Sequence, residues 1–157
     1  MLSHSLKLAL ILGLSLMAAM PSLAGTEPAA TAADSPQPIH PDSLRWIKPP
    51  GFEGIEVAWV LGGEKMAGPY VLRVKLSPGA RIAPHTHPDL RNTTVLKGTL
   101  YVGFGERLDE ARLVAIPAGS VYVAPAGKPH FIWAKDGEVL YQENGVGPSG
   151  TAPIKQP

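Results

Sequence analysis

The run Gly79-Ala80-Arg81-Ile82-Ala83-Pro84-His85-Thr86-His87-Pro88-Asp89-Leu90-Arg91 decides how this chain is to be read. Successive side chains of a strand alternate faces, so His85 and His87 point the same way and two imidazoles can share one ion. A helix would set residues i and i+2 about 200° apart, and the flanking Pro84 and Pro88 oppose a helix in any case. The strand reading stands, which makes the pair a candidate for metal ligation. Its frame extends to Gly79-x5-His85-x-His87-x3-Arg91-x6-Gly98. A second frame follows, Gly119-x5-Pro125-x-Gly127-x2-His130, whose turn Pro125-Ala126-Gly127-Lys128-Pro129 leads into the apolar run Phe131-Ile132-Trp133. His130 opens or adjoins that strand and is the third candidate ligand.

Outward from these frames the chain reads as short strands separated by Gly/Pro turns, an all-β pattern. Tyr70-Val71-Leu72-Arg73-Val74-Lys75-Leu76 alternates, with Leu72, Val74 and Leu76 toward a core and Arg73 and Lys75 outward, until Ser77-Pro78-Gly79 ends it. Thr93–Leu96 and Thr99–Phe104 flank Lys97-Gly98, which reads as a hairpin connection. Val121–Val123, Phe131–Trp133 and Glu138–Gln142 supply further strands. Only Leu108 to Leu113 suits a helical turn, with Asp109 and Glu110 near its start as the helix dipole prefers. Such an array closes as a sandwich or a small antiparallel β-barrel, and a barrel lets inward residues distant in sequence converge on one axis.

Residues 1–24 read as a secretory signal: Lys7, an apolar stretch from Leu8 to Met20, and the small-x-small site Ser22-Leu23-Ala24. The apolar stretch falls short of the ~20 residues a spanning helix needs and Pro21 closes it, so cleavage near Ala24 leaves no membrane anchor. The expected location is secreted or periplasmic. Residues 25–42, rich in Ala, Pro, Thr and Ser, have the composition of a flexible linker, and His40 within it reads as solvated. The ordered domain is expected over residues 43–145, with residues 146–157 an irregular tail. Removing Lys7 leaves 13 basic against 13 acidic residues, so no clustered basic face recruits nucleic acid. Cysteine is absent, which excludes disulfides and thiolate ligands and leaves imidazole, carboxylate and water. No Ser-His-Asp arrangement, phosphate loop or deaminase signature is present.

Together the two frames resemble those of the cupin superfamily. Its first motif has a glycine, a His-x-His pair, a carboxylate and a closing glycine; its second has a glycine, Pro-x-Gly and a histidine. The resemblance covers roughly residues 70 to 142. It implies a small antiparallel β-barrel or jelly roll, often a homodimer, with one divalent transition metal held by His85, His87 and His130. The chain departs from the pattern twice. Arg91 stands where the family usually has a glutamate ligand, and a guanidinium has no lone pair to give a cation. Ala134 replaces the asparagine that commonly closes the second motif.

Three neutral imidazoles with an open face suit Fe, Mn, Zn, Ni or Cu and leave room for water or substrate. Similar three-histidine cupins include thiol and diketone dioxygenases, so the resemblance implies oxidoreductase chemistry on a small molecule by analogy. Arg91 shares parity with the histidines: it holds an anionic substrate in a bidentate fork, pairs with Asp89 or Glu143 at the barrel mouth, or is solvated. Thr93 shares that parity and is expected to line the pocket. On the last strand only one of Gln142 and Glu143 faces inward. Gln142 is the expected pocket residue, because an inward Glu143 needs a partner or the metal, in which case it becomes the missing carboxylate ligand. Two rival readings remain open: a binding module for a small anionic or sugar ligand, with a structural metal or none, and a dimer scaffold.

Overall fold

The computed structural model describes residues 37–155. The expected signal segment (residues 1–24) and most of the expected linker (residues 25–42) lie outside the described residues. A compact unit begins at Pro38, a few residues before the expected boundary at residue 43.

Ten strands follow in chain order: β1 (Ile55–Leu61), β2 (Gly68–Leu76), β3 (Arg81–Thr86), β4 (Arg91–Lys97), β5 (Thr99–Phe104), β6 (Val114–Pro117), β7 (Val121–Ala124), β8 (His130–Trp133), β9 (Val139–Gly147) and β10 (Ala152–Pro153). They form two antiparallel five-stranded sheets, ordered β1-β2-β9-β4-β7 and β10-β3-β8-β5-β6. This is the all-β jelly-roll barrel that the sequence predicts. Alternation in β2 works as read: Leu72, Val74 and Leu76 are buried between the sheets, where they meet Leu100, Val102 and Ile132 of the second sheet in one cluster. Asp109 caps the short 3-10 turn Glu110–Arg112, its side chain accepting from the Ala111 N–H.

Two expectations are corrected. The strands on either side of Lys97-Gly98 belong to different sheets, so that dipeptide is a barrel corner and not a hairpin. Gly98 makes the corner with φ 77°, and a Cβ there would lie 2.3 Å from the Glu138 carbonyl oxygen. Turn chemistry signals reversal of the chain without saying which sheet receives the next strand. The segment after residue 145 is not an irregular tail either. β9 runs on to Gly147, and β10 pairs with β3 in the register Ala152↔Thr86 and Pro153↔His85. The Ile154 N–H then reaches the Pro84 carbonyl at 2.9 Å. Its glycines and prolines suggest a loop, yet an edge strand accommodates proline because one side of its backbone needs no partner.

At the opposite margin, Ile47 exchanges two backbone hydrogen bonds of 2.9 Å with Val57. This docks the segment before β1 onto the first sheet, where it helps to wall the barrel interior.

Candidate metal centre

The site is built where β3 and β8 lie side by side. Their register slips between Ile82 and His85, so that Ile82 faces Ile132 while His85 faces His130 directly across the pair. A slip of this kind is a bulge, which re-aims the side chains that follow it. The local phase therefore changes at Ala83-Pro84, and both Ile82 and His85 are buried. His87 follows just beyond β3, two residues on and on the same side as the sequence spacing predicts. The second frame supplies the matching turn: Gly127, at φ 68°, donates its N–H to the His87 carbonyl at 2.8 Å and ties the two motifs together.

The three imidazoles converge. Ring centroids stand 4.8 Å apart for His85 and His87, 4.3 Å for His85 and His130, and 5.1 Å for His87 and His130. One ring nitrogen from each lies within 4.8 Å of the others. Each Nδ1 approaches a backbone carbonyl: His85 that of Ala83 at 2.7 Å, His87 that of Gly150 at 2.7 Å, and His130 that of Lys128 at 3.1 Å. A carbonyl only accepts, so each Nδ1 carries the proton and each Nε2 keeps its lone pair. The Nε2 of His130 is buried with no hydrogen-bond partner.

Electrostatics keep these rings neutral. Burial, helped by the neighbouring imidazole of His130, pushes His85 down to about 4. Burial and the Arg91 charge push His87 down to about 3, and burial lowers His130 as well. Three neutral imidazoles, an unsatisfied lone pair aimed at a shared centre and no thiolate make a donor set that fits one divalent transition metal.

Arg91 is buried beside this centre, and its guanidinium is committed within the chain. Nη1 donates to Glu143 Oε2 at 2.8 Å; Nη2 donates to Ser149 Oγ at 2.8 Å and to the Gly150 carbonyl at 3.3 Å; Nε stands 3.6 Å from Asp89 Oδ1. Of the roles open to it, the structure shows the buried internal ion pair, with no free fork for an anionic substrate and no solvated side chain. Burial raises the Glu143 carboxyl above its usual range while Arg91 pulls it back down. Thr93 is fully buried on the same face, opposite Glu143 in the register of β4 and β9.

The expectation for Gln142 is corrected. Its amide oxygen accepts from Arg73 Nε at 3.2 Å on the outward face of the sheet, and Glu143 takes the inward position. Arg91 supplies the partner that a buried carboxylate requires. Glu143 is nonetheless absent from the cluster of possible ligands, which among the described residues holds the three histidines only.

Several contributors escaped the sequence reading. Ser149 and Gly150 reach the site from the supposed tail, and the Ser149 hydroxyl and Tyr70 Oη, the latter at 2.6 Å, both donate to Asp89, one of the expected partners of Arg91. A cavity of about 360 Å³ adjoins His85 and His87, walled in part by Phe52, Ile55, Val57, Trp59, Leu72 and Val74. Ile55, Val57 and Trp59 alternate at spacing i, i+2, i+4, and that period was the available signal.

Residues 34–146 match a family model described as the ChrR cupin-like domain. Germin-like protein 5-1 of Oryza sativa subsp. japonica is 39% identical over 72 residues, which make up 45% of this chain and 33% of that protein. The chain thus spans about a third of the length of the curated relatives it matches. Among solved structures, the polyketide cyclase RemF from Streptomyces resistomycificus superposes with a TM-score of 0.65 at 14% identity, covering 78% of this chain and 88% of its own. An oxalate oxidase superposes at 0.51 and 24% identity, covering 64% of this chain and 55% of that one. At such identities the structural likeness speaks for the fold.

Proposed function

The chain belongs to the ChrR cupin-like domain family, and from that footing we propose an exported metalloprotein in which His85, His87 and His130 hold one divalent transition metal for dioxygenase-type oxidation of a small molecule. The observation that carries this reading is the set of three buried imidazoles, each with Nδ1 spent on a carbonyl so that Nε2 keeps its lone pair, and with one ring nitrogen from each within 4.8 Å of the others. When bound, the metal supplies Lewis acidity and, for iron, manganese or copper, redox capacity at open positions.

The chain's own residues do the rest. The carbonyls of Ala83, Gly150 and Lys128 hold the ring tautomers, and the lowered proton affinities keep the rings available as ligands at neutral pH. The apolar side chains that wall much of the cavity lower the polarity beside the histidines, which strengthens polar interactions there. Arg91 and Glu143 compensate each other, and through Gly150 Arg91 braces the carbonyl that orients His87. Oxidation as the reaction class rests on analogy with similar folds, one of which is by name an oxalate oxidase. Export rests on the apolar segment that precedes Ser22-Leu23-Ala24.

Elemental analysis of the purified protein tests the centre: about one transition metal per chain is expected, falling to near zero in His85→Ala. Full occupancy in that variant overturns the assignment. Oxygen-electrode assays of the metal-loaded protein against small acids, thiols and phenols test the chemistry, with dioxygen uptake expected for one class and none overturning it. The N-terminus of protein recovered from cells tests export, an intact Met1 being the contrary result.

A further inference from the structure

The cavity beside the histidines has two unlike ends. One end meets His85 and His87; the remaining wall is dominated by Phe52, Ile55, Val57, Trp59, Leu72 and Val74. These come from the segment before β1, from β1 and from β2. At about 360 Å³ the space is at the small end for ligand pockets and holds on the order of ten heavy atoms, at roughly the 30 Å³ one water takes up in the liquid.

Charge decides which molecules suit it. Among the described residues lining the cavity, Arg91 is the single permanent cation. Nη2, which belongs to both bidentate edges of the guanidinium, is spent on Ser149 and Gly150; Nη1 donates to Glu143, and Nε lies 3.6 Å from Asp89 without a hydrogen-bond partner. No guanidinium fork remains to receive a second anionic group, and Glu64 and Glu143, which also line the cavity, oppose one. A charged group held against the apolar walls would give up part of its hydration, and those walls offer no polar group in return.

Building on the metal reading above, we infer that the site takes a small molecule with one polar head and an apolar body. The head lies at the histidine end and the body against β1 and β2. Molecules carrying a charge at both ends, the small dicarboxylates among them, are selected against. Specificity thus sits in Trp59, Val57 and the half-exposed Ile47 at the cavity wall, away from the metal ligands.

Calorimetric titration of the zinc-loaded full chain tests this, after its metal content has been measured. The probes are straight-chain monocarboxylates from acetate to hexanoate, and adipate, which has the length of hexanoate and a second carboxylate. Affinity should rise about fourfold for each added methylene, the factor expected for a buried CH2, and adipate should bind at least tenfold more weakly than hexanoate. Ile47→Lys, a change at a half-exposed position, should lower hexanoate affinity by a larger factor than acetate affinity. A flat series, adipate equal to hexanoate, or no hexanoate binding, with one metal per chain present, overturns this inference alone. A chain that takes up no zinc overturns the metal reading and this inference with it.

Discussion

Replacing Arg91 by methionine tests how the interior of this barrel tolerates charge. The side chain is 5% exposed and donates three hydrogen bonds, two of them at 2.8 Å to Glu143 and Ser149. Methionine fills much of the same volume, so the principal loss is the partner of Glu143, itself 4% exposed. Removing one member of a buried ion pair costs about 3–5 kcal/mol, a large fraction of the ~5–15 kcal/mol that holds a domain folded. At a urea m-value of about 1.5 kcal/mol/M the unfolding midpoint should fall by about 2–3 M. Adding Glu143→Gln to Arg91→Met removes the stranded charge and should recover a large part of the deficit.

The pH dependence carries a definite sign. Without Arg91, Glu143 keeps burial and the Asp89 charge, which raise it, against Thr93 alone, so its folded pKa rises further above the unfolded value of about 4.3. The folded variant then binds the proton more readily than the unfolded chain. Its deficit relative to the parent protein should therefore shrink as pH falls through the folded pKa toward the unfolded one. Urea titrations at pH 7 and pH 5 measure both effects. A midpoint shift worth under about 1 kcal/mol, or a double variant no more stable than Arg91→Met, would refute the reasoning, because a buried pair cannot be broken that cheaply.

Three further predictions concern other parts of the barrel. Metal-free protein should lose stability as pH falls from about 6.5 toward about 4: buried His85 is held down to about 4 and His87 to about 3, so the unfolded state takes the protons first, at about 1.4 kcal/mol per pH unit for each histidine. A urea midpoint independent of pH across that window would contradict it. Gly98→Ala should destabilise by more than about 2 kcal/mol in thermal unfolding, combining an unfavourable positive φ with a Cβ 2.3 Å from the Glu138 oxygen; an unchanged melting temperature would remove the corner assignment. Gln142→Ala should shift stability by less than about 1 kcal/mol and leave metal content unchanged, since its amide meets only outward-facing groups. Loss of metal from that variant would place Gln142 back in the interior.

The contrast between Gln142 and Glu143 shows where sequence reasoning stops. Strand parity correctly joined His85 with His87 and Arg91 with Thr93, because parity is a local property of an extended backbone. Choosing which of two adjacent polar residues faces inward is not local: Glu143 is inward because Arg91, far away in the chain, lies within 2.8 Å. The sequence offered both residues and the pairing of Arg91 with Glu143 as one option, yet with nothing local to select that pair the rule that buried charge is costly pointed to the glutamine. The corner at Gly98 and strand β10 were hidden for a related reason. Glycine and proline mark where the backbone turns or lacks a donor, and those marks are shared by hairpins, corners, tails and edge strands. The β2 pattern needed no such information, since its apolar face is repeated three times over.

Gly150 gives the barrel a property that follows from its position beyond β9. Its carbonyl receives the Nδ1 proton of His87 and a hydrogen from Arg91, and β10 begins two residues later against β3. Fraying of that short edge strand is thus coupled to loss of the His87 tautomer, and by linkage whatever occupies the histidine centre must lower the equilibrium population of the frayed state by the same factor that the docked strand strengthens occupancy. The amide of Ile154, bonded to the Pro84 carbonyl, is the reporter of that exchange. Hydrogen exchange at one backbone position outside the ligand set would then read the state of the centre without touching a ligand.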